Sequence, residues 1–239
     1  MLILNLGVPR SGTILVFNIF REILVRQNVQ FKQLNTNLAD TDAFLKKFDY
    51  KQHVLLHSHS MRPEVQKALQ KVKTFGFFNF RDPRDVLVSL MKLHEHDFEK
   101  TLDFTTRSFS YFLIAVKFRQ RVMFIPYEQL IAAPDVYIFQ LAHRLGIFLN
   151  FNTVHDIQVA TSLEVHKKIM ADVQSEQVEV RRVMGAGRPV IESTTHFIND
   201  RHVQSAKIGR WRDELSESQQ AIANERFGKL LTMLGYPTS

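Results

Sequence analysis

LNLGVPRSGTILVFNIF, residues Leu4 to Phe20, holds the turn on which the fold depends. A short apolar run stops at Gly7, passes through Pro9, Arg10, Ser11, Gly12 and Thr13, and resumes as an apolar, helix-like stretch. The pattern predicts a buried strand over Leu2 to Leu6 and a helix over Thr13 to Gln27, with Ile14, Phe17, Ile19, Phe20, Ile23 and Leu24 on its apolar face. A strand that turns through a glycine-bearing loop into a helix N-terminus presents backbone N–H groups to an anion.

The best-known loop of this kind is G-x-x-x-x-G-K-[ST], whose lysine reaches the terminal phosphates and whose hydroxyl holds Mg²⁺. With its glycines on Gly7 and Gly12, Thr13 stands at the lysine position and Ile14 at the hydroxyl position. Support for ATP or GTP hydrolysis falls away. What is left is a set of N–H groups, the Arg10 guanidinium and two hydroxyls, which suit a phosphate-like or sulfate-like group without a metal.

Working outward, strand candidates recur with helices between them. His53 to Leu56 is a strand ending in His57-Ser58-His59, followed by a helix over Pro63 to Lys73. Thr74 to Phe80 is a strand ending at Arg81-Asp82-Pro83, followed by a helix over Arg84 to His94. Phe109 to Phe118 reads as helix, Val122 to Ile125 as a strand before Pro126-Tyr127-Glu128, and Val136 to Leu145 as a helix stopped by Gly146. This alternation predicts one α/β domain over 1–239, a central parallel sheet flanked by helices. In such sheets ligands sit beyond the carboxyl ends of the strands, and here those ends carry Arg10, His59, Arg81 and Tyr127.

Beyond Asn150 the pattern weakens. Thr161 to Met170 reads as one helix, and the polar segment 172–204 as a mobile lid or a plain surface loop. Lys92 to Arg107, with two phenylalanines, is a candidate acceptor gate. Ser216 to Leu234 closes the chain as a helix with a Ser-Glu-Ser-Gln capping pattern and Gly235 behind it.

Composition bounds the chemistry. Lysine plus arginine exceeds aspartate plus glutamate by 31 − 24 = 7, which favours anionic partners, but no basic run of five or more indicates a nucleic-acid arm. With no cysteine, disulfides, thiolate metal sites and cysteine nucleophiles are excluded. The 20 phenylalanines read as core filling, with a minority available to line an apolar pocket. MLILNLG has no basic n-region, and no apolar segment approaches a membrane span, so a cytoplasmic protein without membrane contact is expected.

Gly7-Val-Pro-Arg-Ser-Gly-Thr13 resembles the 5′-phosphosulfate loop of the sulfotransferases that use 3′-phosphoadenosine 5′-phosphosulfate (PAPS). Arg81-Asp-Pro-Arg-Asp-Val-Leu-Val-Ser89 resembles that family's 3′-phosphate element, in which an arginine and a serine eight residues on grip the phosphate. Leu55-Leu-His-Ser-His59 is similar to the strand end that reads Lys-Thr-His in cytosolic members, with the last histidine as catalytic base. Tyr127-Glu-Gln-Leu130 and Thr161-Ser-Leu163 resemble segments that touch the nucleotide, and Ala206-Lys-Ile-Gly-Arg-Trp-Arg212 resembles the closing loop R-K-G-x-x-G-D-W-K. The motifs span nearly the whole chain in the family's order.

The resemblance implies a P-loop-like sulfotransferase fold. It implies PAPS as donor, adenosine 3′,5′-bisphosphate as product, no metal, and a small-molecule acceptor whose hydroxyl or amine attacks in line. Catalytic roles fall to His59 as base, Arg10 and His57. Donor contacts fall to Arg10, Ser11, Gly12, Thr13, Ile14, Arg81, Ser89, Tyr127, Thr161, Leu163, Ser205, Lys207 and Gly209. Four features depart from the pattern: Arg10 replaces the loop lysine of cytosolic members, Ile14 replaces a threonine, His57 replaces the lysine before the histidine, and Gln204-Ser205-Ala206 replaces the Arg-Lys-Gly whose 3′-phosphate contacts would fall to Ser205 and Lys207. Arg81 has the alternative of pairing only with Asp82 or Asp85, and Trp211 reads as a packing anchor for the closing loop. A non-catalytic nucleotide-binding relative and a nucleotide phosphotransferase are the rival readings.

Overall fold

Five strands form one parallel sheet in the order β2-β3-β1-β4-β5: β1 (Leu2–Gly7), β2 (Phe31–Asn35), β3 (His53–Ser58), β4 (Thr74–Phe80) and β5 (Val122–Pro126). The computed structural model describes residues 1–35, 38–94, 97–185, 188–199 and 206–238. β1 lies at the centre, paired to β3 on one side and β4 on the other. The winding direction of the chain reverses across β1, so the crevice at the carboxyl ends opens over the Gly7 loop.

Alternation along β1 feeds two cores. Leu2, Leu4 and Leu6 pack with Leu56, Phe78 and Phe80 toward α3 (Pro63–Leu69), α4 (Pro83–His94) and α5 (Phe98–Val116). Ile3 packs with Leu55, Phe77 and Ile125 toward α1 (Thr13–Arg26), α7 (Pro134–Arg144) and α8 (Phe151–Ala160). Burial on both faces is what a helix-covered parallel sheet demands. A third cluster joins Leu87 and Leu102 to Trp211, Phe227 and Leu231, tying α10 (Trp211–Glu214) and α11 (Glu217–Leu234) to α4. The remaining helices are α2 (Leu38–Lys47), α6 (Tyr127–Ala132) and α9 (Leu163–Gln174).

The capping pattern holds: Ser216 Oγ accepts from Gln219 N–H at 3.3 Å, Gln219 Oε1 accepts from Ser216 N–H at 3.0 Å, and Gly235 closes the helix at φ 78°. Elsewhere the structure adds to the sequence reading. α5 begins at Phe98 rather than Phe109, because Asp97 caps it by accepting from Lys100 N–H at 2.8 Å, so most of the candidate gate is plain helix. Residues 95–96 of that gate lie outside the described residues. The expected helix from Thr161 is α9, where Ser162 caps the first turn by accepting from Val165 N–H; α8, which ends at Ala160 just before it, is an added helix. Within 172–204 stands an antiparallel hairpin, β6 (Val180–Gly185) with β7 (Arg188–Ser193). The edge strand β2, FKQLN, has only half-buried or exposed side chains, and its weak apolar signal explains why the sequence passed over it.

Candidate active site

The loop after β1 is held by buried polar contacts. Asn5, fully buried at the strand centre, donates to the Thr13 carbonyl at 2.7 Å, and Asn79 of β4 donates to Asn5 Oδ1 and the Leu6 carbonyl, each at 2.7 Å. The Ser11 hydroxyl donates to the Val8 carbonyl at 2.6 Å, with the Asn79 carbonyl 3.0 Å away. Ser11 therefore ties the loop to β4, and its side chain faces inward. Arg10 and Gly12 both sit in the left-handed region, at φ 65° and 79°. A Cβ on Gly12 would lie 2.6 Å from the Tyr127 ring, so this glycine is needed for close approach as well as for conformation. α1 starts at Thr13 with no acidic side chain in its first turn, leaving its positive end open to an anion.

A cavity of about 520 Å³ opens over this loop, within the usual size of ligand sites. Its wall contains Arg10, Gly12, Thr13, Ile14, Arg81, Ser89 and Tyr127. His57, His59, Thr161 and Leu163 also line it, so the structure brings together most of the residues singled out from sequence. No phenylalanine lines it among the described residues; the buried rings, such as Phe17, Phe20, Phe77 and Phe78, fill the two cores.

The cations are held by carboxylates. Arg81 Nη2 donates to Asp85 Oδ2 at 2.9 Å and to the Lys207 carbonyl at 2.6 Å, and its guanidinium lies 4.6 Å from the Tyr127 ring centre. Asp85 also accepts from Gly209 N–H at 2.8 Å and Trp211 N–H at 3.1 Å, so one buried carboxylate fixes both Arg81 and the closing loop. The pairing with Asp85 leaves Arg81 Nε buried and without a hydrogen-bond partner among the described residues. Arg10 Nε donates to Ser89 Oγ at 2.9 Å. Burial, then the charges of Arg81 and Arg210, lower the Arg10 pKa to about 10, which leaves it charged at neutral pH. Arg84 is fully buried, paired with both Asp82 oxygens and stacked 3.9 Å from the Trp211 ring centre. Trp211 is thus the anchor that the sequence suggested.

His59 stands just beyond β3. Its Nδ1 donates to the Gly7 carbonyl at 2.7 Å. A carbonyl only accepts, so the proton of the neutral ring stays on Nδ1 and the lone pair on Nε2. Burial lowers the His59 pKa, the Gly7 bond opposes that shift, and the Arg10 charge adds to it. The neighbouring His57 is buried, and its Nδ1 donates to Asn35 Oδ1 at 2.9 Å. Asn35 in turn donates to Glu192 Oε2 at 3.1 Å, and Arg181 pairs with Glu192 Oε1 at 2.8 Å. The hairpin is thereby joined to the end of β3.

Other assignments land differently. Thr161 turns its hydroxyl to the Ile157 carbonyl at 2.8 Å. Lys207 sets its carbonyl, not its ammonium, beside Arg81; the ammonium pairs with Asp213 at 2.6 Å on the surface. Ser205 lies outside the described residues. Arg210, which sequence reasoning passed over, lines the cavity and forks onto Glu214 at 2.7 and 3.3 Å. An arginine four residues before a glutamate, next to the closing-loop glycine, was the available signal. Val190, Ile198 and Asn199 bring the hairpin region to the same wall.

Among the described residues no group of three or more His, Asp or Glu could hold a metal ion, and no helix is long and apolar enough to cross a membrane. No curated protein matches the sequence. Solved structures do. A mouse sulfotransferase, SULT7A1, complexed with PAP, is 16% identical, with 97% of this chain and 84% of that chain covered and a TM-score of 0.70. Retinol dehydratase in complex with androsterone and the inactive cofactor PAP is 15% identical, covering 96% of this chain and 80% of that one at a TM-score of 0.69. Retinol dehydratase with retinol and PAP gives 15%, 96%, 81% and 0.67. These likenesses establish the fold. The sulfotransferase domain matches residues 2–235, and the chain belongs to that family.

Proposed function

We propose that the protein transfers a sulfonyl group from PAPS to a hydroxyl or amine of a small-molecule acceptor, with His59 as general base. The observation that carries the reading is the His59 ring. Its Nδ1 proton is pinned on the Gly7 carbonyl, and it shares a wall with Arg10, Arg81 and Ser89. PAPS, when bound, supplies a sulfonyl group activated by a phosphate leaving group. The N–H groups of Gly12 and Thr13 and the Arg10 guanidinium would hold its 5′ side. Arg81 and Ser89 would hold the 3′-phosphate, and Tyr127, Thr161 and Leu163 the base. One feature supports the fit: the orphaned Arg81 Nε.

The residues then divide the work. His59 Nε2 accepts the acceptor's proton; the lowered pKa keeps the ring neutral and ready at pH 7. Arg10 offsets the negative charge that develops on the leaving side. His57, in place of a lysine, brings a nitrogen ring to the same wall. Ile14, in place of a threonine, presents carbon where a hydroxyl would stand. Residues 1–239 act as one domain, and the 172–204 segment serves as the cover of the acceptor end, supported by Val190, Ile198 and Asn199 on the cavity wall.

His59→Ala tests the assignment. Turnover should fall about 10²-fold or more, while adenosine 3′,5′-bisphosphate affinity stays near the parent value. Near-full turnover removes His59 from the role. Calorimetry of the parent protein separates the rivals: preference for ATP with Mg²⁺ over the bisphosphate sinks the sulfotransferase reading. Bisphosphate binding without transfer to any acceptor in a metabolite panel favours a non-catalytic binder.

A further inference from the structure

The closing loop lacks the Arg-Lys-Gly triplet that its resemblance calls for, and the Lys207 ammonium is engaged at the surface. We propose that Arg210 takes over the missing contact and acts as a second guanidinium on the donor's 3′-phosphate, beside Arg81 and the Ser89 hydroxyl. The inference rests on the PAPS reading above and names a residue that reading leaves out.

Position argues for it first. Arg210 is buried, yet it lines the same cavity as Arg10, Arg81 and Ser89. Its backbone is set by Gly209, whose N–H is held by Asp85, the same carboxylate that holds Arg81. One side chain thus fixes the spacing between the two arginines.

Preorganisation comes next. Glu214 takes Arg210 Nε and Nη2 and is itself paired with Lys92 at 2.8 Å. Arg210 Nη1 makes no hydrogen bond among the described residues, so one edge of a planar fork is oriented and left for a ligand.

Charge completes the case. The charges of Arg210 and Arg81 both reach Arg10 strongly enough to lower its pKa. Asp85 and Glu214 each offset one guanidinium, and a wall that still gathers three favours a further anion. A phosphate monoester dianion, with three acceptor oxygens, can take the Arg81 and Arg210 forks and the Ser89 hydroxyl.

Calorimetry on the full chain tests this with two ligands, adenosine 3′,5′-bisphosphate and adenosine 5′-monophosphate. Arg210→Met should weaken the bisphosphate by about tenfold or more and leave the monophosphate unchanged. Arg210→Lys, which keeps the charge and a folded loop, should lose part of the same preference, since a point charge does not replace a fork. Glu214→Gln removes the brace but keeps the guanidinium, and should retain the preference. The proposal is overturned if Arg210→Met or Arg210→Lys binds the bisphosphate as the parent does. Equal losses for both ligands overturn it too, as does a Glu214→Gln variant as weak as Arg210→Met. A parent protein that prefers neither ligand overturns the donor reading itself, and this inference with it.

Discussion

The two ends of the cavity are built from different materials. Beneath the β1 loop, charges are locked by charges: Asp85 holds Arg81 and two loop amides, Glu214 holds Arg210, and Asp82 holds Arg84. Toward the hairpin, His57 is joined to Glu192 through a neutral amide, Asn35, and the walls include the aliphatic side chains of Ile14, Val190 and Ile198. On the proposed reading, the first end is the receptor for the donor's anionic groups. The second is joined to the hairpin region by the Asn35 relay and by Gln33, which donates to the Thr194 and Thr195 carbonyls. The proposed function assigns the donor to the rigid end and the choice of acceptor to the other.

The comparison breaks most sharply at Asp85. Asp85→Ala strands a buried Arg81 and two loop N–H groups, and should cost about 3–5 kcal/mol of stability, as removal of one partner from a buried ion pair does. Chemical denaturation would measure it, and bisphosphate binding should be lost in the same variant. A loss under 1 kcal/mol would mean that this end is not locked as described. Asn35→Ala interrupts the relay at the other end. It should cost roughly 1–3 kcal/mol and lower turnover while bisphosphate affinity holds. A parallel fall in bisphosphate affinity would show that the ends are not independent.

The smallest effect is expected from pH. As the proposed base His59 works in its neutral form, and its pKa lies below the ordinary 6.5, mainly through burial. As pH falls, protonation removes the base only once the lowered pKa is approached. The kcat/KM profile should therefore decline toward acid with its half-maximal point below 6.5. A half-maximal point above 6.5 would place the ring in a wetter or more anionic setting.

The rigid end is also the legible one. Gly7, Arg10 and Gly12 fall within one short run, and Arg81 and Ser89 are spaced by about two helical turns. Each is a local pattern whose chemistry follows from its own neighbours. The inward turn of Ser11 and the surface placing of the Lys207 ammonium were not legible, since each depends on partners fixed only by tertiary contacts. The hairpin end hid for a related reason. VRRVMG and RPVIES mix charge with apolar residues, and the reason emerges only when Glu192 meets Asn35, 157 residues away. Arg210 stood in plain view beside Gly209, but its use depends on a cavity wall that no local pattern describes.

The Asp85 carboxylate has a consequence for how the protein is made. Its partner Gly209 follows it by 124 residues. At typical synthesis rates of 5–20 residues per second, about 6–25 seconds separate the two on the ribosome. Over that interval the β1 loop, β4 and α4 can assemble, while Arg81 and Asp85 remain without the segment that seals them. The seal over Arg81 therefore comes late, ahead of only α10 and α11. A chain stalled before Gly209 would carry the sheet and the glycine loop but no finished place for the phosphate.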